Sequence, residues 1–209
     1  VRNFKIFISF KNFFKINEIK SQDLIFDKTD FNVTKKDLDF FNNLMKIEPN
    51  KNKIIIKRSN VFFKNKNDEV LFINKISNSS FFYDSNNLEN IFLSKNKIFN
   101  IPFKVKIKND KFNKLITSNL NFKKIRLDLK NTINYSEKIK KGLLEILLIN
   151  KNTKLNYEIN DNSINFASEG SKNNYNGLIE FKPFYFTANF NYDGLSSKNL
   201  FKDDSIFLD

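Results

Sequence analysis

The chain has 209 residues, a formal net charge of +13 and 26 Phe, but no His, Cys or Trp. This composition excludes a Ser-His-Asp triad, a cysteine nucleophile and a zinc site of nitrogen and sulfur ligands. The 4 glycines stand too far apart to cradle a phosphate. The length predicts a single β-rich domain over 1–209, and strand patterning already under way at Phe4 leads us to expect a fragment of a longer protein. Lys, Asn, Phe and Ile are encoded by codons poor in G and C, so base composition accounts for part of the charge. The charge is also uneven, because 161–209 is mildly acidic and the basic excess falls in 1–160. No apolar run approaches the ~20 residues that a membrane-spanning helix needs.

In chain order, Phe4, Ile6, Ile8 and Phe10 alternate with Lys5, Phe7 and Ser9, as on a half-buried strand. Residues 15–33 continue in extended form. The period then changes at 34–47, where Thr34 caps, Asp37 follows three residues on, and Leu38, Phe41, Leu44 and Met45 share a helical face. This spacing predicts an amphipathic helix packed on the sheet, closed by Pro49 and Asn50.

Residues 53–63 and 69–76 read as a hairpin around the polar turn 64–68, followed by a short strand at 80–83. Leu88, Ile91 and Phe92 have the spacing of one or two helical turns over 87–94. Ile101, Phe103, Val105 and Ile107 then alternate with Pro102, Lys104, Lys106 and Lys108, one side apolar and the other almost wholly basic. The alternation changes phase between Lys123 and Lys124, which predicts a β-bulge or a strand break. Strands at 142–150, 153–160, 163–169 and 177–193 complete the pattern, the last carrying Phe184, Phe186, Ala188, Phe190 and Tyr192 in alternation. The predicted fold is mainly β: a long antiparallel meander of about ten strands, curved or groove-like, with one helix near its N-terminal part.

Two stretches carry a resemblance. The run Leu38-Asp39-Phe40-Phe41, then 53–63 and 67–73, is similar to a recurring helix-strand-turn-strand unit of AsmA-like envelope proteins. Residues 164–168 and 177–186 resemble that family's C-terminal strands, especially as found in AT-rich alphaproteobacteria, so the likeness covers about 34–200. It implies an inner-membrane protein with an N-terminal anchor that lies outside this sequence. It also implies a periplasmic β-sheet that conducts phospholipid or assists outer-membrane assembly. The expected partners are phospholipid or acyl chains, and Ile101, Phe103, Val105, Ile107, Phe184, Phe186 and Phe190 are the expected lipid-facing residues. Lys104, Lys106 and Lys108 are then solvated exterior.

The competing expectation is an RNA-binding structural protein such as an organellar ribosomal protein, with Phe stacking on bases beside Lys on phosphates. Against it stand only three Arg, Arg2, Arg58 and Arg126, and basic residues interleaved with acids. No specific nucleic acid is therefore expected. Neither is an enzyme: Asp203 with Asp204, and Asp37 with Asp39, read as solvated carboxylates, with no metal or cofactor to hold.

Overall fold

The computed structural model describes residues 3–8, 21–34, 37, 53–169, 173–181 and 184–192. They form one open sheet of 14 strands. In chain order these are β1 (Asn3–Ile8), β2 (Ser21–Asp27), β3 (Asp30–Val33), β4 (Lys53–Lys64), β5 (Val70–Asp84), β6 (Glu89–Ile98) and β7 (Ile101–Asp110). They continue as β8 (Leu115–Phe122), β9 (Leu127–Asn134), β10 (Lys140–Leu148), β11 (Lys151–Ile159), β12 (Ser163–Ser168), β13 (Asn173–Phe181) and β14 (Phe184–Tyr192). From β4 to β14 each strand pairs antiparallel with its neighbours in sequence.

The expected pure meander is corrected at the other end. β2 and β3 both run parallel to β4, so the sheet is mixed. A parallel partner requires a connection of a dozen or more residues, and residues 34–52 are long enough to supply it. Of the span 34–47, where a helix is predicted, the described residues are Thr34 and Asp37 alone, and they show a turn rather than a helix. Asp37 Oδ2 accepts from the Thr34 N–H (2.7 Å) and from Thr34 Oγ1 (2.8 Å), and the Asp37 N–H donates to the Thr34 carbonyl (3.1 Å). Its apolar positions Leu38, Phe41, Leu44 and Met45 lie outside the described residues, among which there is no α-helix.

Three further expectations change, and a fourth, the phase change at Lys123, is resolved between its two alternatives. Residues 87 and 88 close a turn and 89–94 lie within β6, so Ile91 and Phe92 point to opposite faces rather than sharing a helical stripe. The separate strands at 69–76 and 80–83 are one strand, β5, interrupted in its pairing with β6 at Ser77. The phase change at Lys123 is a strand break, a 3-10 turn over Lys123–Ile125 closed by Arg126 at φ 51°. Finally, 177–193 is two strands, because β13 ends at Phe181 and β14 starts at Phe184.

One irregularity crosses three layers of pairing. Lys28 (φ 53°) and Arg58 (φ 48°) both adopt left-handed backbone, and Arg58 drops out of the β4–β5 register as Ser77 does. Around it the Ser59 hydroxyl accepts from the buried Thr29 N–H (3.1 Å) and donates to the Lys57 carbonyl (2.7 Å). The Arg58 guanidinium grips Asp27 with both carboxylate oxygens engaged. Its effect is to shift the alternation by one residue in each strand, so Ile54 and Ile56 share a face with Val61 and Phe63.

The hairpin turns are built by short polar side chains. Asp84 accepts from the Asn86 N–H (3.0 Å) and the Asn87 side chain (2.9 Å), and Asp110 from the N–H (2.9 Å) and side chain (2.6 Å) of Asn113. These bonds hold both carboxyls below the ordinary value of 3.8, through the side chain of Asn87 for Asp84 and through the backbone of Asn113 for Asp110. A lowered carboxyl lends stability that is complete above the unfolded-state value and drains away as the folded-state group protonates. Thermal melts should therefore show a loss of stability beginning as pH falls below about 4. The double substitution Asp84→Asn with Asp110→Asn should flatten that acid limb and leave neutral pH less stable; an unchanged acid limb would show that the two turns do not govern it.

The sheet has little interior. Val33, Ile76 and Ile91 are the buried apolar side chains among the described residues, whereas most others are half-buried. A single sheet whose faces are mostly half-buried among the described residues accounts for this.

Candidate functional site

Direct cross-strand partners share a face, so the register sorts every strand into two sides. Ile101, Phe103, Val105 and Ile107 stand on the same side as Phe122 and Leu120 of β8 and Leu127 and Leu129 of β9. The side continues through Ile146 and Leu144 of β10, Leu155 and Tyr157 of β11, Phe166 of β12 and Ile179 of β13. It ends on Phe184, Phe186 and Phe190 of β14. The two groups expected from sequence, seven strands apart, thus fall on one face. In the other direction it runs through Phe92, Phe81, Ile54 and Leu24. At ~4.8 Å per strand the stretch from β4 to β14 covers about 48 Å, longer than the ~30 Å hydrocarbon core of a bilayer.

Along this face the four β7 residues are half-buried by their neighbours, whereas Phe184 is 76% and Phe186 52% exposed. The Phe190 side chain is outside the described set. Rings pair across strands: Phe103 stacks on Phe122 with centroids 4.8 Å apart, and Phe63 on Phe72 at 4.3 Å. Each such pair is worth about 0.5–1.5 kcal/mol beyond its burial. The opposite side of β7 carries Lys104 and Lys106 exposed and Lys108 tied to Glu89 at 2.6 Å, so Lys108 is a structural ion pair rather than free exterior. That opposite side is not uniformly polar, since Phe82 faces Ile91 there with the Lys53 ammonium 5.2 Å from the Phe82 ring centre.

Two glycines shape the apolar face. Gly142 lies directly opposite Tyr157, and with no side chain at Gly142 the Tyr157 ring crosses β10 and donates its hydroxyl to Asn131 Oδ1 on β9 (2.7 Å). Burial pushes the Tyr157 phenol above its ordinary pKa. Phe166 lies over Gly177 in the same manner. Ring faces therefore tile this part of the surface.

The face is not the unbroken hydrocarbon wall expected from alternation alone. Ser59, Ser79, Ser94, Asn96, Asn90 and Asn109 are buried among its aromatic and aliphatic groups. Ser94 donates to Asn96 Oδ1 (2.8 Å), and Asn109 accepts from the Tyr135 hydroxyl (2.8 Å). Asn74 Oδ1 is buried there with no hydrogen-bond partner. These short side chains concentrate in β4–β7, whereas β8–β12 carry most of the aliphatic surface. The contribution of β8–β13 to the face was not singled out from sequence, although its signal, alternation within each strand, is the same one that singled out β7.

Asp37, considered as half of a carboxylate pair, accepts from the Thr34 N–H and hydroxyl, while Asp39, Asp203 and Asp204 lie outside the described residues. No group of three or more acidic residues that could hold a metal ion occurs among the described residues. Among them, too, no helix is long and apolar enough to cross a membrane. No protein-family model, curated protein or solved structure matches the chain.

Proposed function

We propose that this chain is the lipid-handling sheet of a non-enzymatic envelope protein, holding phospholipid acyl chains against its apolar face. The observation that carries the reading is the alignment of apolar side chains from β2 to β14 on one side of an open sheet. An acyl chain in water leaves apolar area exposed at ~25 cal/mol per Å², and so does this half-exposed face; contact removes both. Aliphatic and ring surfaces offer few directional bonds, so a tail held on them remains free to slide. A groove-like curvature of the sheet would enclose such a tail on more sides.

The resemblance to AsmA-like proteins supports the same reading. It would place the sheet in the periplasm, tethered to the inner membrane through an N-terminal anchor, in phospholipid transport or outer-membrane assembly. The test is solvent extraction of the purified protein followed by phospholipid analysis, with titration of a fluorescent fatty acid. Co-purified phospholipid and saturable uptake are expected. A lipid-free protein that also takes up no probe would overturn the proposal.

A further inference from the structure

The hairpin turns leave the sheet along two long rims, and one corner carries side chains that neither turn chemistry nor water favours. Phe99 and Asn100 alone connect β6 to β7, at φ 45° and 63°, a left-handed pair of positions that suits Asn, Asp and Gly. A bulky Phe there is disfavoured by its backbone, and its ring is 75% exposed. Beside it the start of β5 presents Leu71 (61% exposed) and Ile73, and together with Phe99 they line an open cleft of about 360 Å³.

The same cleft is lined by Lys75 and Lys97, which are direct cross-strand partners. Like charges placed opposite each other destabilise a sheet. The arrangement is repeated next door, where Lys95 faces Lys104. All four lysines are exposed, and none enters an ion pair among the described residues. The nearest turn acids are engaged elsewhere, Asp68 with Lys64 and Glu69 with Asn65. Unneutralised cations thus surround a protruding apolar tip. The opposite rim differs: Phe112 is 84% exposed in the β7–β8 turn, but Asp84, Glu89 and Asp110 stand near that rim.

We propose that the corner formed by β5, β6 and β7 docks on an anionic membrane surface. Phe99 and Leu71 enter the headgroup layer while Lys75, Lys95, Lys97 and Lys104 meet lipid phosphates. A nearby anionic surface relieves both like-charge pairs, and the interface shelters the exposed ring, so each locally unfavourable feature is offset by the same partner. This docking involves the side of the sheet opposite the apolar face, and it stands whether or not that face takes up acyl chains.

Flotation of the full chain with vesicles tests it. The protein should float with vesicles of phosphatidylcholine mixed with phosphatidylglycerol, but not with phosphatidylcholine alone, and added salt should release it. Lys97→Glu should weaken flotation by roughly 30-fold, through two units of charge at the surface. It should also raise the melting temperature, because an attractive pair replaces a repulsive one. Phe99→Asn should weaken flotation while keeping or raising the melting temperature, since Asn suits the turn. Phe112→Asn on the other rim should float like the parent. Flotation that ignores lipid charge, survives both corner substitutions or falls equally with Phe112→Asn would overturn the proposal. So would preference for an RNA oligonucleotide over vesicles, lost on Lys97→Glu.

Discussion

A carboxylate at Leu129 should abolish uptake of a fluorescent fatty acid, and the same carboxylate at Thr132 should leave it nearly intact. The two positions lie three residues apart on β9 but on opposite faces. Leu129 sits between Leu120 and Ile146 in the middle of the apolar face, whereas Thr132 stands on the other side between Thr117 and Leu143. An ionised carboxylate beside a bound tail would have to be desolvated without a partner, so Leu129→Asp should reduce uptake by at least roughly tenfold. Part of the Leu129 burial energy is lost too, but the site is only half-buried and the sheet should remain folded, as circular dichroism would check. Equal uptake by the two variants would separate lipid binding from this face altogether.

The largest stability effect is expected at Gly177. A Cβ there would overlap the Phe166 ring and the Thr187 backbone carbonyl alike. A ring can swing away, but the carbonyl belongs to β14 and yields only if β13 and β14 move apart. Gly177→Ala should cost about 1–3 kcal/mol, the range for overpacking, read locally as faster amide hydrogen exchange in β13 and β14. At Gly142 the obstruction is the outer part of the Tyr157 ring, so Gly142→Ala should cost less, about 1 kcal/mol for the hydrogen bond to Asn131. A Gly177→Ala protein as stable as its parent would mean that the ring over Gly177 has room the packing does not show.

Strand content was legible because alternation is local. β7 can be read from Ile101, Phe103, Val105 and Ile107 without reference to anything else, and the hairpin at 53–76 from its polar turn. The misreadings occur where pairing overrides local spacing. Leu88, Ile91 and Phe92 fit a helix in isolation, but Ile91 and Phe92 gain partners on opposite faces from Phe82 and Phe81. The parallel pairing of β2 and β3 with β4 joins residues about thirty positions apart, and no neighbouring residue announces it. For the same reason the sequence indicated which residues of β7 and β14 alternate, but not that the two sets lie on a common side. That follows only from seven successive registers. The left-handed residues Lys28 and Arg58 were illegible as well, since neither is a residue type that favours that conformation.

The pairing of each strand from β4 to β14 with its sequence neighbours makes this part of the molecule thermodynamically one-dimensional. Its stability is a sum of hairpin energies and nearest-neighbour terms, with no central core whose loss would unfold every strand together. Contacts are short in sequence, so folding can begin at any tight turn and spread outward, and β14 can fray while β7 remains paired. Denaturation should accordingly be broad and probe-dependent rather than all-or-none. The same arithmetic makes length an adjustable property: insertion or deletion of a whole hairpin changes the reach of the sheet by about 10 Å while leaving the register of the remaining strands untouched.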